Sequence, residues 1–185
     1  MKSLIVLAAV AAVAAVAAPA FAQSLPALGP ISYNASAGYT GVSTSGADLG
    51  AIDLRLGADF GKFVGVEAEG AFGVNDANGS VGAAATRLRL NSEYAAYGVA
   101  RAPVLPNANL FARIGYGHSE VKATATLGGA SASTTAGLDS WNYGVGGEYF
   151  FDGKNGVRVD YTRIDFQDRG LKDADTWSVG YVLRF

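Results

Sequence analysis

Hydrophobic and polar side chains alternate with a period of two along most of the chain beyond residue 30. The last stretch shows it most plainly: the members of one parity are Trp177, Val179, Tyr181, Leu183 and Phe185, and those of the other are Ser178, Gly180, Val182 and Arg184. A period of two is typical of a strand whose two faces meet different surroundings. The stretch predicts a strand with one large apolar face and one small or charged face.

The same alternation recurs in about eight segments separated by Gly, Asn, Ser and Pro, which are typical of turns. The longest predicted loop is the Ala/Thr/Ser/Gly tract Lys122–Gly137, and Arg101–Asn109 is predicted as a connection because Pro103 and Pro106 cannot donate to a ladder. Short and long connections alternate, and no segment has helical periodicity. We therefore predict an all-β fold, an eight-stranded antiparallel up-and-down β-barrel.

The amino terminus is interpreted as a secretory signal peptide. Lys2 precedes an apolar run, and small residues at Ala20 and Ala22 suit cleavage before Gln23. No stop-transfer charges follow, so an amino-terminal membrane helix is not favoured. The predicted organisation is a signal peptide over 1–22, a lead segment over 23–30 and a barrel over 31–185.

Composition narrows the function classes. Removal of Lys2 lowers the Lys and Arg count from 14 to 13 against 16 Asp and Glu, a mature net charge of −3, which gives no basic surface for nucleic acid. The chain has no cysteine, so neither disulfides nor thiol chemistry contributes. We expect no cofactor.

The charged parity indicates which face is inside. It is rich in arginine, acids and glycine, whereas every mature lysine falls in a turn, a loop or a strand end. A narrow lumen favours the bidentate guanidinium group and needs small neighbours. We predict a transmembrane barrel whose lumen holds an ion-pair network of Asp53, Arg55, Glu67, Glu69, Arg87, Arg89, Glu93, Arg113, Glu148, Arg158 and Asp160.

Aromatic residues on the apolar parity collect near strand ends, as in the two girdles of a membrane barrel. The predicted girdle residues are Tyr33, Tyr39, Phe60, Phe72, Tyr116, Trp141, Tyr149, Phe151 and Trp177. A soluble periplasmic barrel with an apolar ligand is the alternative, because it gives the same period with the opposite orientation.

The segment YGVGGEYFFDGKNGVRVDYTRID (Tyr143–Asp165) and the ending Tyr181–Phe185 resemble the small OmpA/OmpX/opacity-type outer-membrane barrels of Gram-negative bacteria. The resemblance covers essentially the whole mature chain. It implies an integral protein of the cell outer membrane with both termini in the periplasm. It further implies that Tyr181 and Phe185 form the signal read by the barrel-assembly machinery, and that no peptidoglycan-binding domain follows.

Catalytic chemistry has little support in the sequence. His118 and Ser119 are neighbours in a strand and point to opposite faces, so they cannot share a site without a bulge. Glu67 and Glu69 share a face, but charge pairing explains them better than acid/base work. The acids Asp168, Asp173 and Asp175 lack the spacing of a calcium loop, so no metal site is predicted.

The sequence thus favours a non-catalytic outer-membrane protein with a structural or surface-interaction role, in envelope integrity or adhesion. The interacting loops are expected around Ser43, Asn78, Ser131 and Asp168, and the expected surroundings are outer-membrane lipid and lipopolysaccharide. A narrow channel for ions or very small solutes is the first alternative. A lipid-modifying enzyme is the second.

Overall fold

A computed structural model of the chain describes residues 29–44, 47–168 and 173–185. Its strands are β1 (Ile31–Thr44), β2 (Ala47–Phe60), β3 (Val64–Asn75), β4 (Ala77–Val81), β5 (Ala84–Leu105), β6 (Ala108–Leu127), β7 (Ala130–Phe150), β8 (Asn155–Phe166) and β9 (Ala174–Arg184). The predicted signal peptide and residues 23–28 of the lead segment lie outside the described residues. Within the described parts, no helix is long and apolar enough to cross a membrane.

The strands form one antiparallel sheet that closes on itself. Its order is β3-β2-β1-β9-β8-β7-β6-β5-β4, and a further pairing of β3 with β5 closes a ring of eight strands. β4 follows β3 after Asp76 and pairs along β5 beyond the part of β5 that pairs with β3. The ring confirms the predicted eight-stranded up-and-down barrel.

The two ends of the barrel differ in their connections. Short turns, including Gly61–Phe63, lie at the end that also holds Ile31 and Phe185, and we call it the turn end. At the opposite hairpin end, β5, β6 and β7 run past their barrel neighbours. We define the extension as β4 together with residues 84–92 of β5, 120–127 of β6 and 130–139 of β7.

Burial follows the alternation within the barrel. Outward residues such as Leu54 and Val145 are more than half exposed, whereas inward Asp53 and Arg158 are each only 1% exposed. Apolar side chains therefore cover the outside, and ionic side chains fill the lumen. This orientation is the one predicted for a membrane barrel rather than a soluble one.

The prediction that Lys122–Gly137 is a loop was wrong, because this tract is the long hairpin of β6 and β7. The hairpin turns at Gly128 and Gly129, whose φ values of 57° and 87° suit a tight turn that needs two left-handed residues. Ser43, Asn78 and Ser131, predicted in loops, lie in strands. Asp168 follows β8, and residues 169–172 of the predicted last loop lie outside the described residues.

Strand β5 departs from the predicted alternation at one position. The pairing of β5 with β6 shifts between Leu90 and Ser92, so Asn91 is an inserted residue. An inserted residue reverses the direction of the side chains beyond it. Leu90, whose parity is opposite to that of the predicted lumen residues Arg87 and Arg89, is therefore 4% exposed in the interior, and these two arginines point outward.

The predicted connection Arg101–Asn109 is also shorter than expected, since β5 continues to Leu105. The paired residues of β3 and β5 end at Val64 and Ala100. Pro103 therefore lies where β5 has an open edge, and a proline costs little there. The extra strand residues bring Arg101 into the lumen.

Candidate functional site

The lumen of the barrel carries most of the buried charge among the described residues. Buried arginines project from four strands, and the half-buried arginine of β9 joins them; they are Arg55, Arg101, Arg113, Arg158 and Arg184. The inward carboxylates are Asp53, Asp59, Glu67, Glu69, Glu93, Glu148 and Asp160. Alternation alone places these residues inside, because each lies on the inward parity of its strand.

Arg113 of β6 is the centre of the network. Its Nη1 lies 2.9 Å from Glu67 Oε1 and 2.6 Å from Glu69 Oε2, and its Nη2 lies 3.0 Å from Asp160 Oδ2. The Arg113 guanidinium also stacks 4.3 Å from the centroid of the Tyr97 ring. One side chain thus connects β6 with β3, β5 and β8 across the lumen.

Arg55 of β2 adds a second crossing of the same space. It lies 2.6 Å from Glu69 and 2.8 Å from Asp160, and Asp53 is 3.3 Å away on its own strand. Thr40 donates to Asp53 at 2.8 Å, and its hydroxyl oxygen also lies 2.7 Å from that of Ser178. Both guanidinium groups therefore share Glu69 and Asp160, so removing either arginine reduces the charge that compensates these buried acids.

The turn end of the lumen holds a second charged cluster around Phe111. Arg158 lies 4.2 Å and Arg101 5.9 Å from the centroid of this ring. Arg101 pairs with Asp59 at 2.8 Å and with Glu148 at 3.0 Å. Arg101 was missed in the sequence because Pro103 was taken to end the strand. The parity of Tyr97, Val99 and Arg101 was the signal that could have found it.

Two predicted network residues lie elsewhere. Arg87 and Arg89 were expected in the lumen, but their side chains are 63% and 57% exposed on the outer face of the extension. The inserted residue Asn91 is the cause, since it reverses the facing of β5. Glu93 is buried in the lumen as expected, yet none of the ion pairs among the described residues includes it.

The hairpin end of the lumen is apolar. Leu49, Ala51, Ala71 and Leu90 form a buried cluster there, with Val42, Leu88 and Val121 packed against it. Deeper in the lumen, Asn142 donates to the Tyr97 hydroxyl at 3.0 Å and accepts from Ser140 at 2.9 Å. The interior is packed with side chains along its length, as an eight-stranded barrel permits.

The predicted aromatic residues lie on the outer wall at two levels, with Phe60 half-buried. At the turn end, Tyr33 stacks on Phe185 with centroids 6.4 Å apart, and Tyr149 meets Phe151 at 5.8 Å. At the hairpin end the ring pairs are Tyr116 with Trp141, Phe72 with Tyr94, and Tyr161 with Trp177. Tyr94 and Tyr161 were not among the predicted girdle residues.

The residues considered for catalysis are separated. His118 Nδ1 lies 2.7 Å from Asp139 Oδ1 on the outer wall, whereas Ser119 points into the lumen and is 3% exposed. The acids Asp173 and Asp175 pair with Arg163 at 2.5 and 3.3 Å. Across the described residues, no group of three His, Cys, Asp or Glu side chains could hold a metal ion.

These features define the class of a small outer-membrane barrel. The sequence profile of the outer membrane protein beta-barrel domain matches residues 8–185, and the chain belongs to this family. The protein is accordingly an integral protein of the outer membrane. A search of the curated proteins found no match.

Solved structures share the fold. Ail, the attachment invasion locus protein of Yersinia pestis, in complex with the heparin analogue sucrose octasulfate, is 20% identical, with 85% of this chain and 100% of Ail covered and a TM-score of 0.61. OprG from Pseudomonas aeruginosa is 10% identical, with 83% and 95% covered and a TM-score of 0.57. The N-terminal barrel of OprF from the same species is 13% identical, with 83% and 97% covered and a TM-score of 0.54.

Proposed function

We propose that the protein is a non-catalytic outer-membrane barrel that presents its extension at the cell surface for interaction with other molecules. The observation that carries this proposal is the unpaired edge of the extension. β7 pairs with β8 only over Ser140–Phe150, so residues Ala130–Leu138 pair with β6 alone. This edge contains neither a charge nor a proline, the usual features that block strand addition.

An open edge of this kind suits a partner that adds an extended segment as a further strand. Main-chain hydrogen bonds then supply affinity, and small side chains on both faces allow a close approach. The edge residues are Ala, Ser, Thr and Gly up to Leu138. Ail, which shares the fold, was crystallised with a heparin analogue, so a barrel of this architecture can serve as a binding protein.

The proposal places both termini in the periplasm and the extension outside the cell. Short turns at one end and long hairpins at the other favour this orientation, because bacterial barrels have short periplasmic turns. Since the chain has no cysteine, single introduced cysteines can report the orientation of the barrel in the membrane. In intact cells, an impermeant maleimide is expected to label Ser131→Cys and to spare Lys154→Cys. The reverse labelling would contradict the orientation.

The adhesive role is tested by removing the edge. Lys122 and Thr135 are paired, so residues 123–134 can be replaced by a two-residue Asn-Gly turn. Cells that carry this variant are expected to adhere less to protein-coated surfaces than cells with the full chain at equal surface amounts. Equal adhesion would leave a structural role in the envelope as the function.

The lumen is proposed to be closed to ions. The arginine network and the apolar cluster around Leu49 and Leu90 fill it, which opposes the narrow-channel alternative. Planar-bilayer recordings on refolded protein are expected to show no steady single-channel conductance. A conductance that changes on Glu67→Gln would support the channel instead.

We also propose that the barrel-assembly machinery binds the last strand during biogenesis. Tyr181 and Phe185 lie on the outer wall of the turn end, where Phe185 exchanges two backbone hydrogen bonds of 2.9 Å with Tyr33. A binding groove for the assembly machinery could read both rings before the barrel closes. Phe185→Ser is expected to lower the amount of folded protein in the outer membrane, measured against Phe63→Ser as the control.

A further inference from the structure

The outer face of the extension carries a cluster of three cations, which we call the basic row: Arg87 and Arg89 of β5 and Lys122 of β6. Arg89 lies directly opposite Lys122 in the pairing, and Arg87 is two residues further along the same face. All three side chains are exposed. The row exists because the inserted residue Asn91 turns both arginines away from the lumen.

The charge of the basic row is only partly balanced. Asp76 is the one carboxylate paired with it among the described residues, at 3.8 Å from Arg87 Nε and 3.7 Å from Arg89 Nε, too far for hydrogen bonds. Arg87 donates instead to the Asn78 side chain at 3.3 Å. Glu120, two residues before Lys122, shares its face by alternation but forms no ion pair with the basic row among the described residues. Because Arg87 and Arg89 make so few hydrogen bonds, their guanidinium groups retain donors for a further acceptor.

Arg163, on the other side of the hairpin end, shows the contrast. Its side chain is half exposed, similar to Arg87 and Arg89, but it lies 2.5 Å from Asp173 and 3.3 Å from Asp175. Both of its terminal nitrogens donate to carboxylates of its own chain. Arg163 thus gives a matched cation that is hydrogen-bonded to two carboxylates, whereas the arginines of the basic row have one carboxylate at a longer distance.

The height of the basic row above the membrane limits which ligands can reach it. Lys122 is six residues beyond Tyr116, whose ring packs on Trp141 at the hairpin-end aromatic level. Six strand residues span about 20 Å, and a strand tilt of roughly 40° leaves about 15 Å along the barrel axis. A bilayer headgroup layer is only about 5–8 Å thick. The row therefore lies above phospholipid headgroups, at the level of a larger saccharide headgroup.

We propose that Arg87, Arg89 and Lys122 bind phosphate groups on a lipid-anchored saccharide, the chemistry of lipopolysaccharide. Guanidinium groups match phosphate oxygens in a bidentate manner, and the lysine adds a compact charge. The row faces sideways, over the surrounding lipid, so a ligand anchored in the same membrane reaches it without leaving the leaflet. The inference rests on the proposed outward orientation of the extension.

The test compares three refolded proteins in zwitterionic detergent micelles: the natural chain, the triple variant Arg87→Gln/Arg89→Gln/Lys122→Gln and the control Arg163→Gln. Each is titrated calorimetrically with intact lipopolysaccharide, with enzymatically dephosphorylated lipopolysaccharide and with soluble sucrose octasulfate. Heat-modifiable migration on gels verifies that each protein is folded.

We expect the natural chain and Arg163→Gln to bind intact lipopolysaccharide equally well. The triple variant should bind it roughly 10- to 100-fold more weakly, since each cation near a charged membrane surface contributes about fivefold to affinity. Removal of the phosphates should weaken binding to a similar degree in the natural chain alone. Higher salt should reduce binding by the natural chain, because the row is exposed.

Unchanged binding by the triple variant would overturn the proposal, as would equal affinity for dephosphorylated lipopolysaccharide. Sucrose octasulfate binding that matches lipopolysaccharide and is lost in the triple variant would assign the row to soluble polyanions and overturn the lipid assignment. These measurements do not depend on orientation in the cell. The Ser131→Cys labelling therefore separates a failure of the proposed orientation from a failure of the phosphate site.

Discussion

The barrel wall and the extension are built from the same strands, yet their residues are constrained differently. In the wall, one face meets hydrocarbon and the other meets a packed ionic lumen, so a slip of one residue would bury Leu54 and expose Arg55. In the extension, apart from Leu90 and Ser92, the side chains on both faces are half-buried or exposed. There an inserted residue such as Asn91 costs little, and it can move two arginines to the outside.

Removal of Arg113 is expected to have the largest effect on the wall. Arg113→Ala removes the cation that Glu67, Glu69 and Asp160 share, so these buried acids keep only their pairs with Arg55 and Arg158. Deleting one partner of a buried ion pair costs about 3–5 kcal/mol. Urea unfolding in vesicles measures the loss. Arg163→Ala, an exposed pair, should cost about 0–1 kcal/mol. Similar losses for the two variants would contradict the contrast.

This difference in constraint also explains what the sequence could predict. Asp53, Glu67 and Arg158 were assigned to the lumen by alternation alone, because two unlike environments enforce the parity of a wall strand. The facing of Arg87 and Arg89 could not be predicted correctly, because the alternation of side chains gives no signal for an inserted residue. The sequence of Lys122–Gly137 predicts a loop instead of a hairpin, because its small polar residues are also common in turns.

The sequence does not predict which residues of the ion-pair network contact each other, for a different reason. Arg113 meets Glu67, which lies 46 positions away along the chain, and this contact depends on the stagger of strands around the ring. Arg101 depended on where β3 stops pairing with β5, a property of the closed sheet. The parity of a residue predicts whether its side chain points into or out of the barrel, but it does not predict which residue that side chain contacts across the lumen.

The second prediction concerns glycines that make room for the network. A Cβ at Gly146 would lie 2.5 Å from Phe111 Cζ and 2.6 Å from both Asp160 Cβ and the Val159 carbonyl oxygen. Gly146→Ala should therefore destabilise the barrel by about 1–3 kcal/mol through overpacking. Gly98→Ala is the control, because its Cβ would point outward, 4.0 Å from the nearest atom. Equal unfolding midpoints for the two variants would mean that the lumen has spare room.

The third prediction tests whether the extension contributes to the stability of the barrel wall. Replacing residues 123–134 by an Asn-Gly turn removes much of the extension but no pairing of the closed ring. Its unfolding free energy in vesicles should stay within about 1 kcal/mol of the natural chain, since substitutions outside the packed core have small effects. A loss comparable to that of Arg113→Ala would show that the extension stabilises the barrel.

The smallest effect is expected at the turn end, outside the membrane. The backbone N–H of Asn155 donates to the Asp152 carboxylate at 2.6 Å, and the Asn155 side chain and the Lys154 N–H add bonds of 2.6 and 2.9 Å. These bonds lower the pKa of Asp152 to about 2. A lowered pKa stabilises the turn fully above the unfolded pKa near 3.9, and this contribution is lost as the pH falls towards 2.

The carbonyl carbon resonance of Asp152 should therefore titrate with a midpoint near 2, and the exchange of the Asn155 amide should stay slow from pH 7 to pH 4. Asp152→Asn keeps an acceptor but removes the charge, so the exchange rate of that amide, after correction for intrinsic chemistry, should lose its dependence on pH below 4. A midpoint close to 4 in the natural chain would mean that the turn is open in solution. In that case even the short turns would be less constrained than the strands that they connect.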